Sequence, residues 1–440
     1  SFAACRRSEA VRIRIPHRRC FVLIAVLMVI VSSLLVATSL LFVAQTEVAS
    51  AAGARDAAQS RALAWSGLQI VMSRLNDQRD RILSGEGPQI ENRYVVYESG
   101  NRQGVVQLLP ANGHDDGPLL AAEAGKIDLN FTTAEALAVT GVINADEAQA
   151  IIASRDGADG KQIWSVADLL RIPGAGITAE RLFGEVDELQ QAGERDVTQP
   201  SQSESHYRGL ADALTVHSRE PVLQQSGEPR INIAVPWSEE LGKRVEARFN
   251  RDAAELLKRM LEGGLKFDSD AKIVNTLGAM KVPPEDWPPI LDAFTTTDRT
   301  VRTGRLDINT ATAEALRSLL DVSAEQAAQM VRVRAELSAD ERATVAWPVL
   351  AQILSPEQFE RVMDRITNRC WVYRIRLAAG EMMGEESAEW IGHPLMFEAV
   401  IDCSTSPPRV AYLRDITVLA ETVAIAGQAR AQEHQAGDGG

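Results

Sequence analysis

The chain has 440 residues, 45% of them hydrophobic, and a formal net charge of −14. That is enough apolar material for two or three compact units, wrapped in an acidic surface that repels a phosphate backbone unless its cations are gathered in one place. Four cysteines (Cys5, Cys20, Cys370, Cys403) and six scattered histidines, with no CxxC and no Cys/His cluster, exclude a disulfide scaffold and a zinc module.

Residues 1–20 form a basic leader, with Arg6, Arg7, Arg12, Arg14, Arg18 and Arg19 set against one acid, Glu9. "CFVLIAVLMVIVSSLLVATSLLFVA" (Cys20–Ala44) then runs without a charge. A bilayer core is crossed by about 20 apolar residues, so this run predicts a single transmembrane span. The arginine bias puts the leader in the cytoplasm and everything after Ala44 outside. The rival is a cleaved secretory signal cut at "ASA" (Ala49–Ala51), but signal cores run only about 7–15 apolar residues. No proline occurs between Pro16 and Pro88, and Leu68, Val71, Met72 and Leu75 fall at i, i+3, i+4 and i+7, with Ile82 continuing the stripe. The pattern predicts one helix from Phe21 to about Leu83 within the segment 21–84, roughly 95 Å long at about 1.5 Å per residue. Gly85, Gly87 and Pro88 stop it.

Residues 85–130 open a head with two β-prone runs, "RYVVYE" (Arg93–Glu98) and "GVVQLL" (Gly104–Leu109), followed by the polar turn "ANGHDDG". A repeat follows. "KIDLNFTTAEAL" (Lys126–Leu137) returns 179 residues later as "RLDINTATAEAL" (Arg305–Leu316). Thr133 and Thr312 are N-cap candidates, with Glu135 and Glu314 in the first turn, where the helix dipole favours an acid. Asn144 and Ser323 begin a second helix at a common offset, with Glu147 and Gln326 at capping-box spacing. The register extends to Arg155 and Arg334, giving a duplicated strand–helix–turn–helix unit, and "RINIAV" (Arg230–Val235) is a fainter echo of its strand. Each unit leads to a tryptophan segment beginning at Trp164 or Trp347. Residues 131–304 thus read as a helical insert carrying the first repeat and a polar loop over 188–229, and 305–368 as the second repeat. From 369 to 426, "WVYRIRLAAG", "MFEAVIDC" and "PRVAYLRDITVL" read as antiparallel strands, and 427–440 as a disordered tail. Cys370 and Cys403 fall on two of these strands outside the membrane, where either a bridge or two buried thiols is open. The fold class is α+β.

The basic "HRRC", the apolar "FVLIAVLMVIVSSLLVA" and the helix continuing beyond it resemble a type IV pilin or type II secretion pseudopilin. On that resemblance prepilin peptidase would cut between Cys20 and Phe21, leaving Phe21 as an N-methylated first residue. The family usually has glycine where Cys20 stands and glutamate at the fifth mature position, here Ala25. The minor pseudopilin family of general secretion pathway protein K characteristically lacks that glutamate. "KIDLN…TAEAL", "SHYRGLADALTVHS", "RLDINTATAEAL" and "YRIR…FEAVID…RVAYLRD" are similar to successive blocks of it. The resemblance implies a pilin-like head with a helical domain inserted, an inner-membrane protein with a periplasmic bulk, and a tip or initiation subunit working with minor pseudopilins I and J. It also implies calcium, for which "GEESAEW" and "AVIDC" offer oxygen donors without an EF-hand spacing, so no ligand is assigned.

The competing reading is a membrane-anchored helix–hairpin–helix protein that binds or takes up DNA. A hairpin that grips phosphate presents a Gly-x-Gly turn whose bare amides approach the backbone. The first copy has Gly141 but Ile143 where the second glycine belongs, and the second copy has none in "LLDVSAEQ". Lys126 and Arg155 face five acids in the first copy, and neither copy is a basic patch. "IPGAGIT" (Ile172–Thr178) has the glycines, flanked only by Arg171 and Arg181. No GxSxG, P-loop, dinucleotide fingerprint or HExxH points to an enzyme.

Overall fold

The computed structural model describes residues 17–111, 117–157, 160, 162–183, 209–384 and 390–418. The leader up to residue 16, most of the "ANGHDDG" turn, the polar stretch 184–208 and the tail from 419 lie outside the described residues. The chain forms two units, Ser1–Gln59 and Ser60–Gly440.

The described residues of the first unit form one helical segment. Helix α1 (His17–Asp77) begins in it, and its large side chains from Val22 to Val48 are all exposed. Thr38 and Thr46 donate their hydroxyls back to the carbonyls of Leu34 and Val43, so these polar groups are satisfied within the helix itself.

In the second unit the remainder of α1 buries Leu63, Ala64, Leu68, Val71 and Leu75, most of the stripe marked by the sequence periodicity. The predicted helix to Leu83 is interrupted at Gln78, after which α2 (Arg79–Leu83) resumes. The side chain of Gln78 leaves the helical surface to clamp the backbone of Gln89, donating to its carbonyl and accepting from its N–H at 2.7 Å. Two head strands, β1 (Arg93–Ser99) and β2 (Arg102–Leu109), form an antiparallel pair, and β3 (Ala121–Ala122) precedes the insert. Helix and sheet approach closely at Gly67, where a methyl group would fall on the side chain of Val106.

The insert is built from three modules, each of which leaves on a two-residue strand and returns on a parallel two-residue partner. The first comprises β4 (Ile127–Asp128), α3 (Ala134–Val139), α4 (Ala145–Asp156), α5 (Ala179–Phe183), α6 (Leu210–Ala213) and β5 (Leu214–Thr215). After β6 (Arg219–Pro221), the second comprises β7 (Ile231–Asn232), α7 (Glu239–Arg248), α8 (Arg251–Glu262), α9 (Asp270–Ala279), α10 (Trp287–Ala293) and β8 (Phe294–Thr295). After β9 (Val301–Thr303), the third comprises β10 (Leu306–Asp307), α11 (Ala313–Arg317), α12 (Ala324–Glu336), α13 (Ala339–Arg342), α14 (Trp347–Leu350), α15 (Pro356–Val362) and β11 (Ile366–Thr367). Strands β6 and β9 pair antiparallel and bracket the middle module.

Equivalent bonds close all three modules. Leu129, Ile233 and Ile308 donate their N–H to the carbonyls of Thr215, Thr295 and Thr367 at 2.9, 3.0 and 2.9 Å. Asp128, Asn232 and Asp307 each accept the N–H two residues on, at 2.9, 2.9 and 3.0 Å, an Asx turn that ends the strand. "RINIAV" therefore opens a module of its own, although its helices share no words with the other two. The stretch read as a loop as far as Pro229 is ordered from Gly209, because "LADALTVHS" supplies the closing strand of the first module.

The chain returns to the head as β12 (Val372–Met383), β13 (Trp390–Asp402) and β14 (Arg409–Asp415). The sheet order is β1-β2-β12-β13-β14, antiparallel throughout, with β3 pairing β12. One core fills the insert around Trp287, Trp347 and Phe359, and a second lies between α1 and the sheet around Leu68, Val71, Trp371 and Leu377. The architecture is α+β.

Candidate membrane anchor and assembly elements

The part of α1 from Val22 onward is long and apolar enough to cross a membrane, and its apolar window makes no contact that buries it. Val22, Leu23, Leu27, Met28, Leu35 and Phe42 are each at least 60% exposed. A continuous sleeve of this kind is unfavourable in water and calls for lipid or other apolar helices around it. The segment is compatible with a single-pass anchor. Cys20 and Phe21 lie within the helical backbone of α1, and their side chains are outside the described residues.

Each repeat cap is made by the side chain proposed for it. Thr133 and Thr312 accept the N–H groups of Ala136 and Ala315 at 3.1 and 3.2 Å. Asn144 and Glu147 form a reciprocal capping box at 2.9 and 3.1 Å, as do Ser323 and Gln326 at 3.2 and 3.1 Å. The basic residues at the ends of the two registers also match. Arg155 donates from one nitrogen to the carbonyls of Leu129 and Thr132, both at 2.8 Å, and Arg334 donates likewise to those of Ile308 and Ala311. These arginines are therefore spent on holding the strand to its own helix.

The hairpins are equally committed to packing. Gly141 has φ 78° and its counterpart Leu320 has φ 63°, so the left-handed turn survives the loss of glycine. Ile143 and Val322, which stand where a phosphate-gripping glycine would be, are buried in the insert core. In "IPGAGIT", Gly174 and Gly176 do adopt positive φ, but Arg181 is paired with Glu147 and is not a free cation. The two tryptophans diverge: Trp347 is 1% exposed and donates to Asn309 at 3.0 Å, whereas Trp164 is 73% exposed. In the first module Asn130 bonds the backbone of Ile163 in both directions instead.

The bridge considered between Cys370 and Cys403 is not formed; both thiols are free and buried. Register explains this. Val372 pairs with Asp402, and the next bond joins the Cys403 N–H to the Trp371 carbonyl at 2.8 Å, so Trp371 and not Cys370 stands across from Cys403. Burial pushes the Cys403 thiol up to about 12 and raises Cys370 as well, which keeps both protonated and unreactive.

Among the described residues no group of three or more His, Cys, Asp or Glu side chains is placed to hold a metal ion. Asp402 of "AVIDC" is taken by Arg409 at 2.9 and 3.0 Å and by the backbone of Ser404. Residues 385–389 of "GEESAEW" lie outside the described residues.

A buried ionic network joins insert to head. Glu123 is fully buried and accepts from Lys126 at 2.9 Å, Arg374 at 2.8 Å, and the hydroxyl of Thr215. Against the desolvation of full burial, Arg374 and Lys126 hold its carboxyl far below the usual range. Arg374 and Arg376 also share Glu398 across the sheet at 2.8 and 2.9 Å. Asp270 plays the same part deeper in the insert, held low by Arg302 and Arg305 despite its burial. None of these pairs is near in sequence except Glu123 and Lys126, so pattern reading had no signal for the rest. Comparison with protein-family models, with curated proteins and with solved structures finds no match for this chain.

Proposed function

We propose that the chain is a minor pseudopilin of a type II secretion system, of the general secretion pathway protein K kind, acting without catalysis as a tip or initiation subunit of the pseudopilus. The observation that carries the reading is α1: from Val22 to Thr46 it is uncharged and exposed over a bilayer's length, and its later turns bury a stripe against an antiparallel sheet. A helical insert enters that sheet between β3 and β12, which agrees with the arrangement the resemblance implies. On this reading the helix sits first in the inner membrane and later against the helices of neighbouring pseudopilins, exchanging one apolar environment for another at little cost. Ala25 leaves the fifth mature position without an acid. That suits a subunit with nothing above it, because in the family the glutamate there meets the N-terminus of the subunit above. Minor pseudopilins I and J are its expected neighbours, and prepilin peptidase its processing enzyme.

The committed arginines, the filled hairpins and the net acidity speak for the modules as scaffold and against a phosphate grip. Deleting the chain in its host should abolish or sharply reduce export of type II substrates, and purified pseudopili should contain it in substoichiometric amount. Unimpaired secretion in the deletion strain, or pseudopili lacking the subunit, would contradict the reading.

A further inference from the structure

The insert contains a cleft of about 510 Å³ where the middle module, the third module and the residues leading into β12 meet. That volume is typical of small-ligand sites. Three guanidinium groups, Arg230, Arg248 and Arg369, line it in a chain that is strongly acidic as a whole.

Their charge is loosely compensated. Arg369 has a side chain only 3% exposed; it donates to the Leu223 carbonyl at 2.8 Å and to Asp292 at 2.7 Å. Its Nε is buried with no hydrogen-bond partner among the described residues. Arg230, also buried, donates to the same carbonyl, but its carboxylate neighbour Glu220 is 3.9 Å away and is shared with Arg305 at 4.0 Å. Burial lowers Arg230 to about 10, and the nearby Arg369 and Arg305 add to the effect. Arg248 is 37% exposed; it donates to Gln224 at 2.9 Å and reaches Asp292 only at 3.8 Å. Asp292 itself already accepts from the Gln225 backbone through both oxygens. Buried cations are normally met by close, hydrogen-bonded anions, and here only Arg369 has one, Asp292, while Arg230 and Arg248 meet carboxylates only at 3.9 and 3.8 Å.

Pro288, Pro289, Leu291, Trp347 and Leu350 give the cleft an apolar wall, and Gln225, Thr344 and Asn368 add polar groups. Asp340 and Glu341 also line the cleft, and Glu341 is engaged by the N–H and hydroxyl of Ser338. These carboxylates disfavour a ligand of high negative charge, and the lining suits one carrying a single carboxylate on an apolar body with amide donors.

We propose that the cleft is a binding site for a peptide-like carboxylate, its anion against Arg230, Arg248 and Arg369 and its side chains against the proline and tryptophan wall. The inference does not depend on the pseudopilin reading.

The test is calorimetric titration of the full chain in lipid nanodiscs at low ionic strength, with N-acetyl-leucyl-leucine, its C-terminal amide and acetate as probes. The acid should bind at least about tenfold more tightly than either the amide or acetate, because a hydrogen-bonded charge contributes on the order of one decade or more. Arg248→Ala should weaken binding of the acid by about the same factor while leaving the melting temperature nearly unchanged. Leu350→Asp, which brings a second anion to the apolar wall, should abolish it. Equal binding of acid and amide, no binding of the acid, or acetate binding as tightly as the peptide acid would each overturn the proposal; the last would mark a site for simple anions only.

Discussion

Asp128 and Asp307 stand at matching positions in the first and third modules, each buried within the strand pair that closes its module. Burial raises Asp128 to about 7 and Asp307 to about 6, although backbone N–H groups and, for Asp307, the Thr310 hydroxyl favour the charged form. An unfolded aspartate titrates near 3.9, so the folded state holds these protons more tightly than the unfolded one. The stability from that preference is complete below about pH 4 and is lost as pH rises through about 6 to 7. Asn mimics the neutral acid. Asp128→Asn should therefore gain on the parent chain between pH 5 and pH 8 in thermal melts, whatever its offset at pH 5; parallel profiles would show that burial does not set this titration. Gly141 and Leu320 make a second matched pair. A side chain on Gly141 would meet open space, so Gly141→Leu should cost about 1–2 kcal/mol from backbone conformation alone. The reverse change, Leu320→Gly, should have a smaller effect, because relief of strain is offset by the freedom glycine gains when unfolded. Urea denaturation of both variants checks the pair, and a neutral Gly141→Leu would remove the turn argument.

Between elements, helix α1 and the sheet approach closely at Gly67. A Cβ there would overlap Val106, whereas one at Gly53, on the exposed part of α1, would touch nothing. Gly67→Val should destabilise the head by about 1–3 kcal/mol, the usual cost of overpacking, while Gly53→Val should be neutral or slightly favourable to the helix. Equal effects in near-UV circular dichroism melts would mean that α1 does not pack as described. What was legible in the sequence at this scale follows the same division between local and distant causes. The helix stripe, the capping boxes and the head strands rest on residues within a turn or two of each other, and period and cap chemistry revealed them. The middle module was nearly invisible because its closing strands are two residues long and pair residues 63 positions apart, Ile231 with Phe294. The ionic network linking Glu123 to Arg374 spans 251 positions, and the register that separates Cys370 from Cys403 depends on how two long strands meet. Such facts belong to the assembled fold. The cleft lined by Arg230, Arg248 and Arg369 is of this kind too.

For the whole molecule, a strongly acidic chain carries one long uncharged apolar surface, and its fold gives the insert and the head separate cores joined by buried ion pairs. These features suit a protein that works by position: an anchor in an apolar medium, a head built on a sheet, and an insert held to it by buried ion pairs. The proposal of a pseudopilin requires α1 to be a pilin-type assembly helix and not a cleaved signal. Mass spectrometry of the protein purified from its native membrane fixes the mature N-terminus directly. The mature chain should begin at Phe21 and carry one N-methyl group. A terminus near Ala51, or an uncut chain retaining the residues before Phe21, would contradict it.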